Sequence, residues 1–188
     1  MKNELEVLLN FIYPLSPAAV SLLEREVKEV VLPKGYKIFQ ENKRNNHIYL
    51  LEKGIARVYY TTNGNEVVLR FYAEGEILYS MKSMLFDKAG YESIEFLERA
   101  KVYQLNYSAL QRLYNEHAEI ANWGRRWMEV EAYKTEERLR SILFKSASER
   151  YEELLSQYPT LLQRVSLGDI ASYLGVTQVT LSRIRAKK

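Results

Sequence analysis

The stretch that decides the fold is the last one in the chain, residues 165–188, which reads VSLGDIASYLGVTQVTLSRIRAKK. Ser166 is a suitable N-cap for a first helix, and the apolar residues at 170, 171 and 174 then share one helical face. Gly175 supplies the left-handed backbone that commonly ends a helix. Thr177 is a suitable cap for a second helix. We therefore expect two short helices joined by a tight turn.

The second of these helices has the pattern of a DNA-reading helix. Leu181 and Ile184 are expected to face the first helix and to leave a polar outer face, the shape that enters a major groove. Residues 164–188 hold five basic residues against one acid, a net charge of +4, whereas the whole chain carries +3. The alternative is a helical hairpin with an ordinary solvated basic face. The residues predicted to contact DNA are Thr177, Gln178, Thr180, Ser182, Arg183, Arg185, Lys187 and Lys188.

Composition excludes several classes of protein. A chain of 188 residues with 47% hydrophobic and 27% charged residues indicates one or two folded domains. No run approaches the roughly 18 apolar residues of a membrane span, and the N-terminus is not a secretory signal, so we expect a cytoplasmic protein without a membrane partner. The absence of cysteine excludes disulfides and thiol redox chemistry. His47 and His117 lie far apart and no catalytic motif is present, so neither a metal site nor an enzyme is expected.

Residues 30–106 are typical of a β domain. Short apolar, β-branched and tyrosine-rich runs lie at residues 30–32, 37–39, 47–51, 55–60, 66–72, 91–97 and 100–105. The Asn63-Gly64 pair between two such runs predicts a hairpin. Many short strands at this spacing predict a sandwich, a jelly roll or a small barrel. Residues 73–86 interrupt the pattern and are expected to form a short helical insert that can present backbone N–H groups to an anion.

Helices are expected on both sides of the β domain, over residues 1–29, over 108–115 and from Ala118 to about Phe144. Residues 135–137 mark either a fresh helix cap or a hinge. The long helix carries apolar residues at alternating three- and four-residue spacing, which is typical of a coiled-coil seam and predicts a dimer interface. The alternative is a stripe that packs in the core of its own chain. The predicted interface residues are Ile120, Trp123, Trp127 and Val130.

This order of elements resembles the Crp/Fnr family of bacterial transcription regulators over nearly the whole chain. The matching residues are Lys34-Gly35, Gly54, Gly75-Glu76, and the terminal pattern from Ile170-Ala171 through Gly175 to Arg183. The resemblance implies an α+β fold. It comprises an N-terminal double-stranded β-helix, a jelly roll of the cyclic-nucleotide-binding type, over residues 1–117, and a long dimerisation helix over 118–134. A C-terminal all-α helix–turn–helix domain without a wing follows over 135–188, since the chain stops three residues after Arg185.

The resemblance also implies a homodimer that binds a double-stranded DNA operator, with RNA polymerase as a further partner. No cofactor is expected beyond an unidentified small-molecule effector. Glu76 resembles the carboxylate that contacts a cyclic nucleotide's ribose, and Ser93 resembles a hydroxyl that contacts its phosphate. The candidate ligand-binding residues are Gly75, Glu76 and Ser93, which the resemblance implies, together with Lys82 and Lys88, which are the nearest cations to this site.

Two departures from the family pattern bear on function. The arginine that pairs with the cyclic phosphate is replaced by Gly90, an acid follows at Glu92, and no arginine lies within residues 71–98. We therefore predict no useful affinity for cyclic AMP, and a pocket that is filled by its own tyrosine and phenylalanine side chains or used by another ligand. In the terminal motif, the usual Arg-Glu pair is replaced by Gln178 and Val179, so the acid that accepts from a cytosine amino group is absent.

Two other functions remain open on the sequence alone. A ligand-sensing or scaffold dimer of the same fold would have lost DNA binding, against which the basic C-terminus argues. A cupin-type enzyme on a similar β-fold would need clustered histidine and glutamate ligands for its metal.

Overall fold

The computed structural model describes residues 4–186 and places a β core between two sets of helices. Helices α1 (Glu4–Ile12) and α2 (Pro17–Glu26) precede the core. The strands are β1 (Val27–Leu32), β2 (Lys37–Phe39), β3 (His47–Lys53), β4 (Ala56–Thr62), β5 (Asn65–Tyr72), β6 (Ile77–Leu78), β7 (Ser93–Phe96) and β8 (Ala100–Asn106), with helix α3 (Met81–Phe86) between β6 and β7. The later helices are α4 (Tyr107–Glu116), α5 (Ala118–Phe144), α6 (Ala147–Gln157), α7 (Leu161–Arg164), α8 (Leu167–Leu174) and α9 (Gln178–Ala186).

The strands form two antiparallel four-stranded sheets, in the orders β1-β8-β3-β6 and β2-β7-β4-β5, which together make a jelly-roll-like core. Strands β4 and β5 are joined at Asn63 and Gly64, with φ angles of 50° and 76°. Two successive positive φ angles are what a two-residue hairpin turn of type I′ requires. The hairpin predicted from the Asn-Gly pair is therefore confirmed.

The continuous apolar run of β3 is explained by burial on both of its faces. Tyr49 and Leu51 point into the core between the sheets. Ile48 and Leu50 point the other way, into a cluster formed with α1, α2, α4 and the first half of α5. Successive side chains of a strand face opposite sides, so a strand covered on both sides shows no polar alternation.

The second sheet is covered on its outer side by the C-terminal helices. A bulge in β5 pairs Val58 with Arg70 but Tyr59 with Val68. This extra residue brings Val68 and Phe71 to the same outer face, where they pack with residues of α6 to α9. The C-terminal helices therefore rest directly on the β core.

Helix α5 follows its predicted bounds but not its predicted role. It runs unbroken through the expected domain boundary at residue 134, and the Thr135 hydroxyl donates to the Glu131 carbonyl rather than capping a new helix. Ile120, Trp123 and Trp127 are at most 3% exposed and lie in the core of their own chain. Such side chains have no surface left for a second subunit, so the interface prediction is wrong for these three residues.

The helix within the insert at residues 73–86 is also shorter than predicted. Residues 73–86 were expected to wind into a helix, whereas Ile77–Leu78 adds a strand to β3 and only Met81–Phe86 is helical. The preceding turn holds Gly75, whose amide donates to the Leu51 carbonyl at 2.9 Å. That amide is therefore already bonded within the fold.

Of the helices within residues 4–186, none is by itself long and apolar enough to cross a membrane. Helices α1 and α2 meet that test only as a pair, and they are bent by 114°.

Candidate functional site

The two terminal helices are fixed by local hydrogen bonds that follow the sequence closely. The Ser166 hydroxyl accepts from the Asp169 amide at 3.1 Å, and the Thr177 hydroxyl accepts from the Thr180 amide at 3.2 Å. Gly175 ends α8 in the left-handed conformation with φ of 66°, which a glycine adopts without steric cost. The predicted caps and turn are confirmed, so α9 leaves α8 at a defined angle.

The outer face of α9 contains most of the residues predicted to contact DNA. Leu181 is 1% exposed and anchors the helix inside, while Gln178, Ser182, Arg183 and Arg185 are exposed. Among residues 4–186, neither Arg183 nor Arg185 forms an ion pair with an acid, so both are available to a phosphate or a base.

The remaining predicted DNA contacts differ from this group. The Thr180 hydroxyl lies 3.0 Å from that of Thr177, and Thr180 is half-buried, so this pair mainly builds the start of α9. Lys187 and Lys188 lie outside the described residues.

The acid within the terminal motif is neutralised by the β core. Asp169 pairs with Arg57 of β4 at 2.6 Å, and each side chain is 15% exposed. Arg57 also pairs with Glu66 and Glu95 at 2.6 and 2.8 Å. The Ser172 hydroxyl accepts from the Val68 amide at 2.9 Å, beside the β5 bulge. These contacts fix α8 on the sheet and leave the outer face of α9 predominantly basic.

The expected ligand carboxylate, Glu76, is occupied by the protein's own cations. It pairs with Arg70 at 2.9 Å and with Lys134 of α5 at 2.6 Å, and its other oxygen accepts from the Ala73 amide at 2.8 Å. Burial alone would raise the pKa of Glu76, but Arg70 and Lys134 outweigh burial and lower it. A ribose hydroxyl would have to displace these partners.

The network around Glu76 extends across three parts of the fold. Arg70 also pairs with Glu131 of α5 at 2.5 Å, and the Tyr79 hydroxyl donates to Glu131 at 3.1 Å. The Tyr158 hydroxyl, from the segment after α6, donates to Glu76 at 3.4 Å. Sequence reasoning missed Arg70, Glu131 and both tyrosines. The sequence signal that could have revealed the network was weak: Arg70 lies near the end of a predicted strand, and Glu131 lies beside the apolar stripe of α5.

At Gly90, where the resemblance places a phosphate-binding arginine, a side chain would meet two buried polar side chains. A Cβ on Gly90 would lie 2.7 Å from the Ser80 hydroxyl and 2.9 Å from a Glu92 carboxylate oxygen. Glu92 is 8% exposed, and the Ser80 hydroxyl is buried with no hydrogen-bond partner among the described residues. A buried acid at this point repels a phosphate.

Three further residues were assigned to the ligand, Ser93, Lys82 and Lys88. The Ser93 hydroxyl already accepts from the Glu41 amide at 3.1 Å. The Lys82 ammonium lies 5.6 Å from the centre of the Tyr91 ring, and Lys88 is exposed. Gly75 and Glu76 instead line a cavity of about 170 Å³ between α1 and α5, to which Val130 also contributes. The lining of that cavity does not include Ser93, Lys82 or Lys88.

Aromatic side chains fill the space between the sheets, including Phe39, Tyr49, Tyr72 and Phe96, which are at most 7% exposed. Within residues 4–186, no group of three or more histidine, aspartate or glutamate side chains is placed to hold a metal ion. The cupin-type alternative therefore has no metal site in that part of the chain.

Comparison with known proteins agrees with this architecture. Residues 29–117 match the family model of the cyclic nucleotide-binding domain. No curated protein matches the chain by sequence.

Solved structures match over most of the chain. FixK2 from Bradyrhizobium japonicum is 20% identical with a TM-score of 0.75, and the match covers 86% of this chain and 83% of FixK2. A protein from Eubacterium rectale described as a Crp/Fnr-family transcriptional regulator is 18% identical with a TM-score of 0.72, covering 93% and 85%. The Thermus thermophilus catabolite activator protein is 21% identical with a TM-score of 0.60, covering 96% and 85%. Residues 29–117 are thus similar to the cyclic nucleotide-binding domain, and the chain as a whole shares the fold of these three solved structures.

Proposed function

We propose that this chain is a sequence-specific DNA-binding transcriptional regulator of the Crp/Fnr type, that it acts as a homodimer, and that it does not respond to cyclic AMP. The observation that carries the proposal is the exposed outer face of α9. Its arginines form no ion pair with an acid within the described chain, and the buried Leu181 and the Gly175 turn set the position of the helix on α8. A preorganised basic helix of this kind suits a major groove. The structural neighbours include proteins described as transcription regulators.

The homodimer would form through the outer face of α5 rather than through its buried stripe. Leu139, Ile142 and Leu143 are 56%, 51% and 63% exposed. Leu139 and Ile142 continue a pattern with alternating spacings of four and three residues, which is the spacing of a coiled-coil seam, and Leu143 lies beside it. We call this face the outer seam, and it consists of Ala121, Arg125, Met128, Ala132, Thr135, Leu139 and Ile142.

The DNA-binding proposal is tested with Arg183→Ala. We expect the variant to lose about 1–3 kcal/mol of binding free energy on its selected operator and to relax specificity at one base pair, if Arg183 reads a guanine edge. The measurement is fluorescence anisotropy on an operator selected from random DNA, and on variants of each base pair.

Arg44→Ala is the matched control, because Arg44 is an exposed arginine in the loop between β2 and β3 whose one ion pair within residues 4–186 is with Asp87. Equal weakening of Arg183→Ala on every sequence would identify a phosphate contact instead. Failure of the wild-type protein to bind any DNA at low salt would reject the proposal in favour of a scaffold or ligand-sensing dimer.

The second expectation is that calorimetry detects no micromolar binding of cyclic AMP or cyclic GMP. The missing charge-assisted contact is worth about 1.5–3 kcal/mol, which is at least about tenfold to a hundredfold in affinity. Gly90→Arg alone should not restore binding, because its side chain would meet Ser80 and Glu92. A thermal melt confirms that the titrated protein is folded. Saturable micromolar binding of either nucleotide by the wild-type protein would contradict the expectation.

A further inference from the structure

One apolar residue lies at the centre of the otherwise polar outer face of α9. Val179 is 62% exposed, although it belongs to a residue type that is usually buried. At about 100° per residue, it lies almost opposite the inward-facing Leu181 and Ile184. Ser182 and Arg183 are its neighbours one turn later on the same face. Any surface that covers Arg183 on this helix must therefore also cover Val179.

The position of Val179 within the helix matches where bases are read. It is the second residue of α9, and the N-terminal residues of a recognition helix are those that contact base edges. The neighbouring threonine hydroxyls of Thr177 and Thr180 are within hydrogen-bonding distance of each other at 3.0 Å. Val179 is therefore an exposed side chain at the start of the helix, next to hydroxyls that bond to each other.

The side chain of valine restricts what it can recognise. It has no hydrogen-bond donor or acceptor, so opposite a cytosine amino group or a purine edge it would leave a polar group without its water. The C5-methyl group of thymine is the one apolar feature of the major groove. Contact between two apolar groups is favourable because it removes both from water.

We propose that Val179 is a specificity-determining residue that selects a T·A pair in each half-site by packing on the thymine methyl group. This inference rests on the proposed DNA-binding function. It assigns the selected thymine to the pair beside the one that Arg183 contacts, since the two side chains lie one helical turn apart on the same face.

The test removes the methyl group without changing base pairing. Duplexes of the selected operator carry deoxyuridine in place of one thymine per half-site, and their affinity is measured by fluorescence anisotropy. We expect one thymine position in the half-site to be sensitive, and deoxyuridine there to weaken wild-type binding about three- to fivefold per half-site. In Val179→Ala, the same substitution should change affinity by less than about twofold, because fewer apolar atoms meet the methyl group. Val179→Glu should shift the preference at that position from thymine towards cytosine.

Val31→Ala on β1 is the control, because Val31 is 49% exposed and lies on the β core. It should retain the wild-type penalty for deoxyuridine. If operator binding is strong but every deoxyuridine substitution is neutral, or if the penalty persists unchanged in Val179→Ala, the inference is overturned while the proposed function stands. Absence of any DNA binding by the wild-type protein would remove the proposed function and this inference with it.

Discussion

Replacing Leu139 and Ile142 together by glutamate is expected to convert the proposed dimer to a monomer. In the single chain both side chains are more than half exposed, so the change should leave the free energy of unfolding of the isolated chain within about 0.5 kcal/mol of wild type. In a dimer through the outer seam, four carboxylates would be buried without partners. Operator affinity should fall by at least about a hundredfold, because each half-site would then be bound independently.

Sedimentation velocity and operator titration measure the two effects. Tyr133→Glu is the matched control, because Tyr133 is 63% exposed on the same helix but lies off the outer seam. That variant should remain dimeric and retain operator affinity. A double variant that sediments as a dimer would exclude the outer seam as the interface.

The two faces of α5 explain why the role of its apolar stripe could not be read from sequence. An apolar stripe at heptad spacing predicts that a helix packs on something, but not whether that surface is another subunit or its own domain. Trp123 and Trp127 are the largest apolar residues on the helix, so the interface was predicted on their face. That face packs on α1 and β3. The Trp123 indole donates to the Leu9 carbonyl at 2.9 Å, a contact with α1 that no spacing rule reveals.

The terminal helices were predictable because their determinants are local. Ser166, Gly175 and Thr177 act on backbone groups within a few residues, so the caps and the turn follow from sequence. Their docking on the β core was not predictable. Arg57 and Asp169 are 112 residues apart in the chain and become neighbours only through the packing of α8 on β5.

The candidate ligand site was likewise predictable from the sequence only in part. The family resemblance located the missing arginine at Gly90, and the structure shows which side chains, Ser80 and Glu92, lie closest to that position. It could not reveal that Glu76 is engaged by Arg70 and Lys134, because those partners lie on different elements. A motif residue can persist in sequence while its side chain takes up a structural contact.

The internal network is the basis of the largest expected effect on stability. Arg70 lies between two acids, Glu76 and Glu131, and its own side chain is 23% exposed whereas theirs are 12% and 5% exposed. Removing one member of such a cluster leaves a buried carboxylate short of a counter-charge, which typically costs about 3–5 kcal/mol. Lys134 would remain near both acids, at 2.6 Å from Glu76 and 3.5 Å from Glu131.

Arg70→Met is therefore expected to lower the free energy of unfolding by about 3–5 kcal/mol at neutral pH. Adding Glu131→Met should recover part of that loss, because the pair is then replaced by apolar groups rather than broken. The effect should also depend on pH. The pKa of Glu76 is below its ordinary value of 4.5 in the folded protein, so its stabilisation is complete above about pH 4.5 and is lost as the pH falls through the lower folded pKa. In Arg70→Met this acid-side loss should be smaller, because the main cation holding the pKa down is gone.

Urea unfolding at several pH values measures both effects, with Arg112→Met as the matched control. Arg112 pairs with Glu26 at 2.5 Å, but the two side chains are 54% and 31% exposed, and such surface pairs contribute about 0–1 kcal/mol. If Arg70→Met costs no more than Arg112→Met, the carboxylates of Glu76 and Glu131 do not depend on Arg70. The ion pairs of Glu76 would then give no structural reason to expect that it cannot bind a ribose hydroxyl. If Arg70→Met is strongly destabilising and the double variant recovers, the network ties β5, the turn before β6 and α5 into one unit through side chains that a cyclic nucleotide would have to separate.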